Sequence, residues 1–353
     1  MELKNLDLTG KRVFLRADLN IPLHGNSLQN KKILNSYKLE SIKPTIDYIQ
    51  ENGGKVILAT HIGRPNALSR TNFFDENLST KLLVPWFEQA GYEVEYEIDL
   101  KQAIKKSKQD FSKILLLENL RFFNGEQQTN LPFAKLLAQC ADVYINDAFG
   151  VMHRSDTSIT LLPKQFKPEN RAYGLLVEKE IETLTKLKTN PEQPFIVVLG
   201  GNKIETKMPL LESLLEQPKE SRVRSILIGG AIAKSIGKDF LSKAKSLGVN
   251  VLLPEDYLKI NNYIIDIGPK TIERFKQEIA QAKTIFTNGP MGIYEEKESA
   301  TGSREILQAI AQTNAYTVVG GGDAVAATNK FGLENQMDFL STGGGATLAF
   351  LIR

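Results

Sequence analysis

The chain has 353 residues, 42% of them hydrophobic and 24% charged, which allows two ordinary domains and excludes a disordered or fibrous protein. Its 44 Lys and Arg against 41 Asp and Glu leave a net charge of +3, too little for a duplex-binding face, so any useful positive field is local. Cys140 is the only cysteine, which rules out an internal disulfide or a multi-cysteine zinc site and fits a reducing compartment. Its flanks, LLAQCADVYI, suit a buried, inert thiol. The opening MELKNLDLTGKR lacks an apolar run of signal-peptide length, and no run of about 18 apolar residues occurs, so a cytosolic protein is expected.

In chain order, RVFLRA, KVILAT, KILLLE and DVYIND read as strands separated by segments of helical period, the rhythm of an α/β unit with a parallel sheet. A noteworthy polar group follows each: Arg16, Asp18 and Asn20, then His61 and Arg64, then Arg121, then Asn146, Asp147 and Arg154. In open α/β sheets ligands bind beyond the carboxyl ends of the strands. Arginine's planar fork suits bidentate bonding to oxyanions, so Arg16, Arg64, Arg121 and Arg154 are candidates for holding a small anion, with Asp18 and Asn20 orienting a hydroxyl or carboxylate. Taken singly, each arginine is also an ordinary solvated loop residue, and His61 a satisfied structural one.

VEKEIETLTKLK, from Val177 to Lys188, has Ile181, Leu184 and Leu187 at helical spacing and stops at Asn190 and Pro191; a domain boundary is expected near its start, giving units of residues 1–172 and 173–353. No internal repeat is visible. The second half repeats the strand rhythm in FIVVLG, SILIGG, NVLLP, TIFTNG and YTVVGGG, but its strand ends carry glycine: Gly200 and Gly201, Gly229 and Gly230, Asn288 to Gly292 with Pro290 between them, and Gly320, Gly321, Gly322 and Asp323. Phosphates need backbone amides at close range, which glycine permits. Lys203 and Lys207 share a face if a helix starts after GGN, although such a pair is commonly plain helix surface. Asp323 suits a carboxylate that meets Mg²⁺ on nucleotide phosphates, or a helix N-cap, and Glu295 could accept bonds from a ribose. GGAIAKS lacks the glycine that a P-loop places before its lysine, and no strand is followed by G-x-G-x-x-G, which counts against P-loop ATPases and dinucleotide-dependent dehydrogenases.

Over nearly its whole length the chain resembles the phosphoglycerate kinase family. KRVFLRADLNIP, HIGRP, LENLRFF and YINDAFGVMHR match the first half of the family, and GGNKIETKMPLLESLL, IDIGPKT, FTNGPMGIYE, VVGGGDA and STGGGATL match the second, in the same order. The resemblance implies two Rossmann-like three-layer αβα domains with parallel sheets joined by a hinge helix, and reversible phosphoryl transfer between 1,3-bisphosphoglycerate and ADP, giving 3-phosphoglycerate and ATP in glycolysis. It implies that the acid sits on the N-terminal domain, at Arg16, Asp18, Asn20, Lys38, His61, Arg64, Arg121 and Arg154. MgADP or MgATP would sit on the C-terminal one, at Gly200, Gly201, Lys203, Lys207, Gly229, Asn288, Pro290, Glu295, Gly320, Gly321, Gly322, Asp323 and Ala324. Lys38, Lys207 and Gly344 would be the catalytic groups, Asp323 the Mg²⁺ ligand, and the molecule a monomer without nucleic-acid or membrane partners.

Three positions depart from the family pattern. The catalytic arginine is Lys38, in KLESIKPTI, which keeps the charge and loses the bidentate fork. Ala324 stands where Ser or Thr normally follows GGGD, and Asp156 replaces the second histidine of H-R-x-H, placing a negative charge beside the basic pocket. Between GGAIAKS and IDIGP the chain is short on the adenine side, and it ends at ATLAFLIR, a helix that needs packing to be stable. Two other readings stay open: a noncatalytic ligand-binding protein on this scaffold, and a hydride-transfer enzyme of the same general fold, which the missing dinucleotide fingerprint disfavours.

Overall fold

The four aliphatic runs of the first half become strands of one parallel sheet in the computed structural model, which describes residues 2–24, 32–65, 74–109 and 113–352. In chain order the elements are β1 (Arg12–Ala17), an antiparallel pair β2 (Leu23–His24) and β3 (Lys32–Ile33), α1 (Tyr37–Glu51), β4 (Lys55–Ala59), α2 (Val84–Gln89), β5 (Val94–Glu97), α3 (Leu100–Ser107), β6 (Ile114–Leu117), α4 (Leu131–Ala138), β7 (Val143–Asp147), α5 (Thr157–Thr160), β8 (Arg171–Tyr173) and α6 (Leu175–Thr189). The sheet runs β5-β6-β4-β1-β7-β8.

Successive side chains of a strand point to opposite faces, and here both faces are covered. Val13, Leu15, Val56, Leu58 and Ile145 meet Leu39, Ile42, Ile46 and Ile49 of α1 on one side. Phe14, Ile57, Leu115 and Tyr144 meet Ala103 of α3, Leu137 of α4 and Cys140 on the other. Cys140 is fully buried, and burial pushes its thiol up to about 12, so it is inert as expected. Sequence reading missed β5 and β8, the two edges: VEYE is half-buried throughout and RAY is only three residues long, so neither shows a continuous apolar run.

The second set continues with β9 (Phe195–Leu199), α7 (Ile204–Glu216), β10 (Ser225–Ile228), α8 (Lys238–Ser246), β11 (Asn250–Leu252), β12 (Tyr257–Ile260), β13 (Tyr263–Ile267), α9 (Pro269–Ile279), β14 (Thr284–Asn288), α10 (Thr301–Ala311), β15 (Tyr316–Gly320), α11 (Gly322–Lys330), β16 (Phe339–Leu340) and α12 (Gly345–Ile352). Its parallel sheet runs β11-β10-β9-β14-β15-β16, the doubly wound order, while β12 and β13 form a separate antiparallel hairpin. The strand order reverses between β9 and β14, which puts a crevice outside their carboxyl ends. In the first sheet β1 and β7 flank the equivalent point.

The chain divides into two compact units, Met1–Lys179 and Glu180–Arg353, whose division falls inside α6. α12 is short, but Leu348 and Leu351 are buried and the Ser213 hydroxyl of α7 donates to the Leu351 carbonyl at 3.3 Å. No helix among the described residues is long and apolar enough to cross a membrane.

Candidate active site

At the carboxyl edge of the first sheet, Arg16, Asp18, Lys38, His61, Arg121 and Arg154 come together with Asp156. Asp18, 9% exposed, accepts from Lys38 Nζ at 2.6 Å and from the Asn20 amide at 3.2 Å, and His61 Nε2 lies 4.0 Å from its other oxygen side. Burial opposes its charge, yet the Lys38 ammonium, with its hydrogen bond and that of the Asn20 amide, outweighs burial and holds the carboxyl far below its usual range. His61 is itself buried, and burial with the neighbouring Arg16, Arg121 and Lys38 keeps its imidazole well below the ordinary value, so at neutral pH it is an uncharged hydrogen-bonding group. Asn20 Oδ1 accepts the Gly63 amide at 2.8 Å, while Arg121 donates to the Gly63 carbonyl at 2.7 Å, so one glycine ties the loops after β1, β4 and β6 together.

The arginines differ in what remains to them. Arg16 has no exposed surface: its Nε donates to Ser158 Oγ at 2.8 Å, one terminal nitrogen bonds the Ala17 carbonyl, and the other faces His61 Nδ1 at 3.3 Å and Glu126 Oε1 at 3.6 Å. It is spent on the protein. Arg121 is 7% exposed, yet its Nε and one terminal nitrogen make no hydrogen bond, and Arg154 Nε is likewise buried and unbonded. Such buried donors are costly unless a ligand satisfies them. Asp156 is the nearest counter-charge, 3.7 Å from Arg121, and its Oδ2 also makes no hydrogen bond. Arg64 is exposed, one residue beyond Gly63, and among the described residues no ion pair joins it to the cluster.

In the second unit three glycine loops pack backbone against backbone beyond β9, β10 and β14. The Gly200 amide donates to the Asn288 carbonyl at 3.0 Å and the Gly201 amide to the Pro290 carbonyl at 2.8 Å. A Cβ on Gly200 would lie 2.0 Å from the Pro290 oxygen, which is why that position carries no side chain. The crevice holds two adjoining cavities that share Gly201, Asn202 and Asp323. The smaller, about 240 Å³, is lined by Gly200, Lys203, Lys207, Asn288, Gly321, Gly322, Ala324 and Gly344, and receives the N-termini of α7, α11 and α12. Amides and helix dipoles at those ends favour an anion. The larger, about 450 Å³, has Pro290 and Glu295 with an apolar wall of Tyr257, Ile265, Ile267, Met291 and Ile293.

Lys207 is 7% exposed, and burial lowers its ammonium to about 8 although Asp323 opposes the shift. Lys203 does not share a helix face with it: α7 begins at Ile204, so Lys203 is the residue ahead of the helix, exposed at the same cavity. Asp323 is not an N-cap either, because Gly321, at φ 92, takes that place and leaves the carboxylate exposed at the junction of the cavities. Gly229 and Gly320 lie behind the cavity wall, against Met291 and Phe286, and serve packing. Sequence reading missed the apolar wall and Glu126. The IDIGP and NGPMGIY segments marked most of the wall, whereas nothing local distinguishes Glu126 from a surface glutamate.

Among the described residues no cluster of three or more His, Cys, Asp or Glu could hold a metal by itself. One carboxylate at a phosphate-sized cavity suits a divalent cation carried in by a phosphate ligand better than a resident metal.

The family model described as phosphoglycerate kinase matches residues 3–256 and 235–352. A phosphoglycerate kinase from Dictyoglomus turgidum is 38% identical over 99% of this chain and 95% of its own. Two solved structures are similar throughout: phosphoglycerate kinase from Coxiella burnetii, with TM-score 0.80 and 31% identity, and that from Pyrococcus horikoshii OT3, with TM-score 0.80 and 29% identity. Each alignment covers 100% of this chain and 96% of the other.

Proposed function

Since the chain belongs to the phosphoglycerate kinase family, whose members are ATP:3-phosphoglycerate 1-phosphotransferases, we propose that it binds the acid at the carboxyl edge of its first sheet and MgADP or MgATP in the glycine-lined crevice of its second. The observation that carries the reading is the set of buried, unbonded guanidinium nitrogens on Arg121 and Arg154, which a phosphate dianion would satisfy. Asp18, Asn20 and the neutral His61 orient the hydroxyl and carboxylate end. Arg16, with its nitrogens engaged, holds His61 and the β1 end in place, and Arg64 closes on the phosphate from outside.

The base lies against Tyr257, Ile265, Ile267, Met291 and Ile293, with Glu295 at the ribose and Lys203 and Lys207 at the phosphates. Asp323 would hold Mg²⁺, which when bound would neutralise charge on the phosphates. Phosphoryl transfer needs in-line placement and charge stabilisation more than covalent chemistry. Lys38 on the acid side, and Lys207 with the amide of Gly344 on the nucleotide side, stabilise the equatorial oxygens of the group in flight.

The test is a coupled assay with ATP, 3-phosphoglycerate and Mg²⁺, run beside Lys207→Ala. Turnover that falls about 100-fold or more in the variant supports the assignment. Ligand binding by calorimetry with no turnover in the unaltered protein would support a noncatalytic scaffold instead.

A further inference from the structure

Two neighbouring carboxylates at the edge of the first sheet each hold one turn of α1. β1 and β7 are adjacent and in register, with Ala17 opposite Asp147, so Asp18 and Asp147 emerge side by side. Asp18 takes Lys38, in the first turn of α1. Two turns later on the same face is Thr45, which is fully buried. Its hydroxyl donates to Asp147 Oδ2 at 2.5 Å and accepts the Leu175 amide at 3.0 Å. Asp147 Oδ1 accepts the Val177 amide at 2.9 Å.

One hydroxyl and one carboxylate thus satisfy donors in the first turn of α6 that have no partner inside their own helix. The fit leaves no slack, for a Cβ on Gly174 would lie 2.3 Å from Asp147 Cγ. The fastening point matters because Pro44, just ahead of Thr45, has no amide to give to the turn that carries Lys38. That turn is joined to the rest of α1 by fewer backbone bonds than usual, and its direction is set where the helix is next tied down.

We propose that Thr45 and Asp147 are positioning residues for Lys38: they fasten α1 to the end of β7 and to the first turn of α6, and so fix where the Lys38 ammonium stands. The inference rests on the reading that Lys38 acts on the transferring phosphoryl group. Neither residue touches the ligands; both act through the placement of a helix.

A double-mutant cycle tests it, with kcat and both KM values measured for the full chain carrying Thr45→Val, Thr45→Ser, Lys38→Ala and the Thr45→Val, Lys38→Ala pair. Thr45→Val, which keeps the shape and removes the hydroxyl, lowers kcat about 10-fold, as small misplacements of a catalytic group do, with KM values within about twofold. Thr45→Ser restores kcat. The double variant is no slower than Lys38→Ala alone, because residues that act as a unit are not additive. Losses that multiply in the double variant, or a lowered melting temperature with kcat intact, overturn the proposal while leaving the reading of Lys38 in place. An unchanged kcat in Lys38→Ala removes that reading and the proposal with it. If Thr45→Val does not fold, Asp147→Asn, which preserves the shape packed against Gly174, replaces it in the same cycle with the same outcomes.

Discussion

Lys38 Nζ sits 2.6 Å from Asp18 Oδ2, a one-point ion pair at the position where the family pattern has an arginine. A guanidinium could engage Asp18 through one nitrogen and still present a flat pair of donors to a phosphoryl oxygen, whereas an ammonium spends one of its three donors and has no fork. Lys38→Arg is therefore expected to raise kcat about 10- to 1,000-fold, the range for regaining a transition-state donor, with little change in KM. Steady-state kinetics of the variant decide it; equal turnover would show that the guanidinium fork adds nothing to the transfer that the ammonium does not already supply.

Asp156 acts on Arg121 through charge alone, since the Arg121 hydrogen bond goes to Gly63 and the closest approach to Asp156 is 3.7 Å. Removing that charge leaves the guanidinium held and the pocket more positive. Asp156→Asn should lower KM for 3-phosphoglycerate about 10-fold at low ionic strength, with the gain shrinking in salt. Inhibition by inorganic phosphate should strengthen in parallel. A raised KM would mean that Asp156 aligns Arg121 after all.

Lys207 carries the clearest pH signature, because burial holds its ammonium at about 8 in the free protein. Its loss of charge should bring down kcat/KM for the nucleotide above about pH 8, and bound phosphates, by favouring the cation, should move the limb of kcat itself to higher pH. Stability shifts the opposite way: between about pH 8 and the unfolded value of 10.5 the unfolded chain holds the extra proton, so the fold gains stability as pH rises through that window. Thermal melts of Lys207→Met should lack this gain. A gain that persists in the variant would assign it to another group.

Gly200→Ala places a methyl 2.0 Å from the Pro290 carbonyl oxygen, a backbone atom that cannot swing aside. The loops after β9 and β14 must separate, breaking the Gly200 to Asn288 and Gly201 to Pro290 hydrogen bonds. Destabilisation of about 3 kcal/mol is expected, at the upper end for overpacking, together with loss of nucleotide affinity and no change at the acid site. Denaturant unfolding and calorimetry with ADP measure the two separately.

Strands β1, β4, β6, β7, β9, β10, β11, β14 and β15 were legible as aliphatic runs, and the glycine clusters and cations at their ends pointed to the carboxyl edges. These are local signals, since a strand covered on both faces must be apolar along its length and a phosphate cavity must be bare of side chains. The exposed hairpin of β12 and β13, whose Tyr263 is 77% exposed, and the two-residue β16 gave no such pattern, although the hairpin supplies Tyr257, Ile265 and Ile267 to the larger cavity.

Which cations remain available was decided only by tertiary structure. Arg16 and Arg121 look alike in sequence, but one is consumed by Ser158, 142 residues away, and by Glu126, while the other keeps two nitrogens unbonded. Thr45 and Asp147, 102 residues apart, become a single fastening in the same way. The pattern of residues along the chain set the strands, the glycine turns and the charge to be placed. The hydrogen-bond partner of each buried charge depended on which distant segments the two sheets brought together, and that pairing separates a ligand-ready guanidinium from a structural one.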